Sequence, residues 1–184
     1  MINRRQVVTL GAGALACHAL GVTATAGNPL PMIKRPIPSS GELLPVMGMG
    51  TSRTFDTSDD PQSLAKLGAV MQAFFEGGGS VIDSSPMYGN AESRVGDVLR
   101  TMEQRPDVFA ATKVWTRGRE QGIEQMEESA RRMDVQTFDL IAVHNLNDWK
   151  IHLETLKAWK QEGRVRYIGI TTSHGRDHEL FLEV

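Results

Sequence analysis

The chain has 184 residues, 40% hydrophobic and 23% charged, the composition of a soluble globular protein long enough to bury one real core. Twenty basic against 22 acidic residues leave a formal net charge of -2, which argues against the clustered Lys and Arg surface that nucleic-acid binding needs. The single cysteine, Cys17, excludes a disulfide framework and a thiolate metal site.

Residues 1–26 read as a targeting segment, to be removed from the mature protein. Arg4 and Arg5 begin it, the mild apolar run Val7–Val22 follows, and Ala24-Thr25-Ala26 supplies the small residues that a signal peptidase cuts after. The run is short of the roughly 20 strongly apolar residues a bilayer span requires, so no stable membrane anchor is expected. Paired arginines before a modest apolar run resemble a twin-arginine signal, which implies a folded protein exported to the periplasm or secreted. Residues 27–42 are expected to be a linker, because Pro29, Pro31, Pro36 and Pro38 work against a regular element. A short strand or turn is expected near Gly41–Pro45.

From there strand and helix alternate. Val46–Gly50 is a first strand. Asp60 caps a helix with Pro61 at its first position, and Leu64, Leu67, Val70, Met71, Phe74 and Phe75 keep a helical period until Gly77-Gly78-Gly79. Ser80–Asp83 is a short buried strand. The next helix covers about Ala91–Gln104, with Val95, Val98, Leu99 and Met102 on one face. Val108–Val114 is a strand, about Arg119–Met133 a helix, Phe138–Val143 a strand, Trp149–Glu162 a helix and Arg166–Ile170 a strand. A further helical segment begins near Asp177. Strands separated by helices imply right-handed βαβ crossovers and a parallel sheet. Either a doubly wound sheet or a (β/α)8 barrel satisfies that pattern. No strand is followed by G-x-G-x-x-G, and there is no P-loop, so the dinucleotide-binding fingerprint of a Rossmann fold is missing.

Polar residues follow the apolar runs where strands end: Gly50-Thr51, Asp83-Ser84, Lys113, His144-Asn145 and Thr171-Thr172. In a barrel, chemistry collects at those ends. Asp83 and Lys113 are costly there unless paired, and neighbouring strands would let them pair. Tyr88 lies five residues beyond Asp83 in a loop with Pro86 and Gly89 and can reach the same cavity. The four together suit carbonyl reduction. A phenol donates a proton to the developing alkoxide, an adjacent ammonium favours the phenolate, a carboxylate holds the lysine, and a histidine orients the carbonyl oxygen. Each also has a purely structural reading: an ion pair for Asp83 and Lys113, a loop aromatic for Tyr88, a strand-end cap for His144. Lys113 as a Schiff-base lysine of another barrel enzyme is a further alternative. His174 and His178 have no partner set, and no metal is assigned. Trp159 reads as helix core, and Trp115 and Trp149 as rim or substrate-mouth residues.

Several separate stretches resemble the aldo-keto reductase family. They are Met47-Gly48-Met49-Gly50-Thr51, the run Ile82–Glu92 with its Asp83 and Tyr88, Ala111-Thr112-Lys113, Asp139–Asn145, and Gly163–Thr171. Together they cover about Leu43 to Thr171 in family order. The resemblance implies an α/β fold, a (β/α)8 TIM barrel of the aldo-keto reductase type, here truncated after about five βα units spanning 43–184. It implies an oxidoreductase that transfers hydride from NADPH or NADH to a small-molecule aldehyde or ketone. Tyr88 would be the general acid, Lys113 and Asp83 its support, and His144 the group that positions the carbonyl. Thr51, Arg53, Asp83, Thr171 and Thr172 would lie beside the cofactor. The family usually has Ser-Asn where this chain has Thr171-Thr172, and threonine lacks the amide's paired donor and acceptor. Family members run to about 300 residues, so the strands that close the sheet and the usual phosphate-binding loops are expected beyond Val184. An unclosed sheet exposes an edge, which points to self-association. The competing reading is an inactive fragment or a non-catalytic binding protein on the same incomplete barrel.

Overall fold

Five of the apolar runs become one parallel sheet whose order repeats the order of the sequence. The structure, a computed structural model, describes residues 31–173 and 178–184, with the side chain of His178 left out. The targeting segment and His174 therefore lie outside the described residues. Two strands, β1 (Lys34–Pro36) and β2 (Leu43–Pro45), form an antiparallel hairpin. The sheet follows: β3 (Gly48–Gly50), β4 (Val81–Asp83), β5 (Phe109–Val114), β6 (Phe138–His144) and β7 (Val165–Thr171), in the order β3-β4-β5-β6-β7. The helices α1 (Pro61–Glu76), α2 (Ala91–Thr101), α3 (Arg119–Met133) and α4 (Trp149–Gln161) connect successive strands, and a short α5 (His178–Phe181) comes last.

That order separates the two folds left open by the sequence. A doubly wound sheet reverses its strand order at a switch point, whereas a barrel adds each strand beside the last. Here nothing reverses, and the architecture is part of a (β/α) barrel.

The hairpin corrects one expectation. Within the stretch expected to be a linker, Lys34–Pro36 form the strand β1. Proline removes a donor but is tolerated at strand ends and edges, and Pro36 and Pro45 stand at the ends of a two-stranded ribbon. The first sheet strand is also shorter than expected, because Val46 and Met47 are exposed and lead into it.

The helices form where period and caps agree. Asp60 Oδ1 accepts from the backbone N–H of Gln62 and Ser63, both at 3.0 Å, and Pro61 follows. Those bonds and one from Ser58 hold the Asp60 carboxyl far below the usual carboxylate range. Met71, Val95, Val98, Leu99, Met126, Met133, Leu156 and Trp159 turn inward from α1 to α4 onto Ile82, Val114, Ile141 and Val143. Burying each such side chain contributes about 1.5–3 kcal/mol. Val70 is the exception to the α1 stripe and faces solvent. Close approach of α2 to α3 depends on Gly96, where a Cβ would lie 1.9 Å from the Arg132 carbonyl oxygen.

The amino-terminal end of the sheet is closed by the hairpin. Tyr167 stacks on Phe109 with centroids 6.0 Å apart, and its hydroxyl donates to Glu42 Oε2 at 2.6 Å and lies 2.7 Å from Ser40 Oγ. Arg166 pairs with both Glu42 and Asp139. The carboxyl end carries the polar residues singled out in the sequence.

Candidate active site

The strand register sets the site. Asp83 ends β4 opposite Ala111, and Lys113 lies two residues further along β5, so both side chains rise on the same face of neighbouring strands. Lys113 is buried. Its Nζ donates to Asp83 Oδ1 at 2.9 Å, Asp83 Oδ2 at 2.8 Å and the Ser84 carbonyl at 2.8 Å. All three donors of the ammonium are thereby used on acceptors beside it. The same nitrogen is 5.1 Å from the centre of the half-buried Tyr88 ring.

Tyr88 reaches this place through the loop between β4 and α2. Its backbone N–H donates to the Ser85 carbonyl at 3.0 Å, and Ala91 N–H donates back to the Tyr88 carbonyl at 3.1 Å. Gly89 allows the turn, with φ at +58°, and a Cβ there would fall 2.3 Å from Asp56 Oδ1. Asp56 Oδ1 in turn accepts from Asn90 N–H at 2.9 Å, tying the loop after β3 to the loop that carries Tyr88.

His144 ends β6 and pairs in register with Thr171 of β7. Its Nδ1 lies 2.8 Å from Thr171 Oγ1. The exposed indole of Trp115 stands edge-on to the imidazole, with centroids 6.4 Å apart. Gln125 holds the Trp115 backbone in place, its Oε1 accepting from the Trp115 backbone N–H at 2.7 Å. Thr172 follows at the end of β7, half-buried.

Thr51 and Arg53 occupy different situations. Thr51, expected beside the cofactor, is fully buried. Its hydroxyl lies 3.0 Å from the Asp83 carbonyl and 2.9 Å from Ser84 Oγ, and its N–H donates to the same Asp83 carbonyl at 3.1 Å. It locks the end of β3 to the end of β4 from beneath the site. Arg53 is exposed on the loop above, in the left-handed region at φ 67°.

Three residues of this region were given no role from the sequence. Ser84 offers its carbonyl to Lys113 and its hydroxyl to Thr51, and its place next to Asp83 at a strand end was the available signal. Asp56 had no signal, being one of several polar residues in a loop. Glu92, quoted only as part of a motif, is buried in the first turn of α2. Burial pushes its carboxyl up, and hydrogen bonds from Thr112 and Ser129 only partly oppose that.

A model of the aldo/keto reductase family matches residues 46–179. The chain belongs to the aldo/keto reductase family. Among curated aldo/keto reductase relatives, it is 30% identical over 148 residues to a methylglyoxal reductase of Escherichia coli, YeaE, covering 76% of this chain and 50% of that protein. It is 25% identical over 139 residues to an aldo-keto reductase of Mycobacterium, covering 72% and 48%. In the solved aldo-keto reductase from Bacillus halodurans it meets a similar backbone, with a TM-score of 0.66 at 25% identity, over 83% of this chain and 54% of that one. The aldo-keto reductase from Klebsiella pneumoniae, solved with NADPH, shares the fold with a TM-score of 0.65 at 23% identity, over 83% and 55%. The chain spans about half the length of the curated relatives it matches. Among the described residues no helix is long and apolar enough to cross a membrane, and no cluster of His, Cys, Asp and Glu is arranged to hold a metal ion.

Proposed function

We propose that the whole protein is an NADP(H)-dependent oxidoreductase that reduces small aldehydes or ketones, with Tyr88, Lys113, Asp83 and His144 as its catalytic residues. The observation that carries the reading is the Lys113 ammonium, buried, bonded to Asp83 and lying over the Tyr88 ring. An ion pair with only a structural purpose has no need of a phenol beside it at the open end of a barrel.

The strand ends suit the nicotinamide end of the cofactor. A Cβ on Gly50 would meet nothing within 4 Å, which leaves room above β3, and β7 ends at the hydroxyl-bearing Thr171 with Thr172 next in the chain. Arg53, Asp83, Thr171 and Thr172 are the residues we assign beside it, with Thr51 holding β3 and β4 together below. When bound, the nicotinamide supplies the hydride. The carbonyl oxygen then gains negative charge, and Tyr88 gives it the phenolic proton. Lys113 stabilises the negative charge left on the tyrosine oxygen, and Asp83 keeps the ammonium in position. His144 fixes the carbonyl oxygen by hydrogen bond, its own ring held by Thr171, while Trp115 walls the approach. The preference for NADP(H) and for a substrate of the methylglyoxal class follows the related proteins, not the geometry.

Titration with NADPH and NADH, read by quenching of tryptophan fluorescence, tests the cofactor; consumption of NADPH with methylglyoxal tests the chemistry. Saturable binding with carbonyl-dependent oxidation supports the reading. Absence of both leaves the alternative of a non-catalytic protein on this fold.

The same reading includes export through a twin-arginine route to the periplasm, on the composition of residues 1–26. Mature protein beginning after Ala26 in a periplasmic fraction supports it, and cytoplasmic protein with an intact Arg4-Arg5 contradicts it. We propose self-association along the edge of β7, the last strand of the sheet among the described residues, because an unpaired strand edge can pair with another chain. A dimer by light scattering supports that placement, and a monomer ends it.

A further inference from the structure

We infer that Glu92 is a positioning residue: its buried carboxyl ties the helix that follows the Tyr88 loop to the strand that presents Lys113, and so sets the separation of the two. Its consequence for turnover rests on the function proposed above; its consequence for Lys113 does not.

Glu92 is 1% exposed. Its Oε1 accepts from Thr112 Oγ1 at 2.6 Å, and its Oε2 accepts from Ser129 Oγ at 3.1 Å, with Arg132 Nη1 4.0 Å away. Three elements therefore meet on one carboxyl: α2, β5 and α3. A leucine of similar size would fill this place without the cost of burying a carboxyl, since a buried charged group is generally a poor source of stability. The group needs another reason to be there.

Its position supplies one. Tyr88 and Glu92 are joined by a continuous hydrogen-bonded turn, with Ala91 N–H on the Tyr88 carbonyl and Arg94 N–H on the Asn90 carbonyl. Thr112 and Lys113 are consecutive on β5, so their side chains point to opposite faces of the sheet. Thr112 faces the helices, where Glu92 grips it; Lys113 faces the barrel interior, where Tyr88 waits. A hold on Thr112 fixes the backbone of Lys113 without placing anything in the site. The path Tyr88, Glu92, Thr112, Lys113 closes on itself at the 5.1 Å approach of ammonium to ring. Ser129 steadies the carboxyl from the far side, which keeps Oε1 aimed at β5.

The test uses the whole chain labelled with 15N-lysine. Among the described residues Lys113 is the only buried lysine, so its ammonium protons are the ones expected to exchange slowly enough to give a resonance. Glu92→Leu and Thr112→Val each remove the tie while keeping the volume. Each is expected to speed exchange of the Lys113 ammonium, or erase its signal, and to lower kcat for carbonyl reduction about tenfold with KM little changed, as a small misplacement does. Glu92→Gln, which can still accept from Thr112, restores both. Should Glu92→Leu fail to fold, the isosteric Thr112→Val decides. A folded Thr112→Val protein with the Lys113 resonance and exchange rate of the parent overturns the inference, whatever its turnover. Faster exchange in a protein whose parent shows no turnover upholds the tie and removes the proposed function instead.

Discussion

The chain has two tyrosines, and they stand at opposite ends of one sheet in opposite company. At the amino end, Tyr167 is enclosed by Phe109, Ser40 and Glu42, and the neighbouring Arg166 is answered by Glu42 and Asp139. These polar groups are matched by one another across the hairpin and the sheet. At the carboxyl end, Lys113 is satisfied by Asp83 and Ser84 and lies over the half-buried Tyr88 ring, with room above β3. The first network binds the chain to itself; the second sets a buried ammonium beside a phenol at the carboxyl ends of the strands. The proposed function would place the two networks on the two sides of the division of labour in barrels, with stability below and chemistry above.

That contrast can be broken most forcefully at Lys113. Lys113→Met keeps the apolar stem and removes the ammonium, and carbonyl reduction should fall about 10²–10⁴-fold, the size of a lost proton-transfer contribution. Circular dichroism should show an intact fold, because Asp83 is part-exposed and can turn to water. Turnover within a few-fold of the parent would return the pair to a structural role.

Asp83, Lys113 and His144 were conspicuous because a charged or polar residue after a short apolar run stands out, and the parallel register brings them to one end; Tyr88 was drawn in by its loop position five residues beyond Asp83. Alternation of strand and helix alone did not give the strand order, since it is the same in a barrel and a doubly wound sheet; the barrel came from the family resemblance, and the order of β3 to β7 agrees with it. Of the hairpin, β2 falls where a short strand or turn was expected near Gly41–Pro45, and β1 was missed because Pro36 and Pro38 count against a strand unless the strand is known to stop there. Thr51 was placed beside the cofactor, although its hydroxyl bonds inward; whether a short side chain at a strand end points up or down depends on the neighbouring strand, which local sequence does not specify. Glu92 passed as one residue of a motif, because its partners Thr112 and Ser129 lie 20 and 37 residues away.

A middle-sized effect is expected beneath the site. Thr51→Val leaves the Ser84 hydroxyl and the Asp83 carbonyl short of a buried partner and should cost about 1–3 kcal/mol in urea unfolding. A stability equal to the parent's would mean that the β3–β4 junction is held by its backbone alone. Tyr167→Phe sharpens the comparison from the other end. It should cost about 0.5–1.5 kcal/mol through the lost hydroxyl bond and leave carbonyl reduction unchanged. A fall in turnover would show that the two ends are not independent.

The smallest effects separate the two ends by pH. Hydrogen bonds from Arg166 and Tyr167 hold the Glu42 carboxyl below its ordinary value, so its contribution is present above pH 4.5 and is lost as pH falls through the lowered value. Glu42→Gln should lose less stability on acidification than the parent. Burial raises Glu92 instead, so stability linked to it is greatest below 4.5 and declines as pH rises through the raised value. Glu92→Gln should therefore gain on the parent between acid and neutral pH. Parallel pH–stability curves for parent and variants would remove both assignments.

The central claim, that Tyr88 is the proton donor of a carbonyl reductase, is met most directly by single-turnover oxidation of NADPH with methylglyoxal, comparing the whole protein with its Tyr88→Phe variant at matched cofactor saturation. The account predicts oxidation in the parent and a loss of about 10²–10⁴-fold in the variant with cofactor binding retained. Equal rates in the two would contradict it.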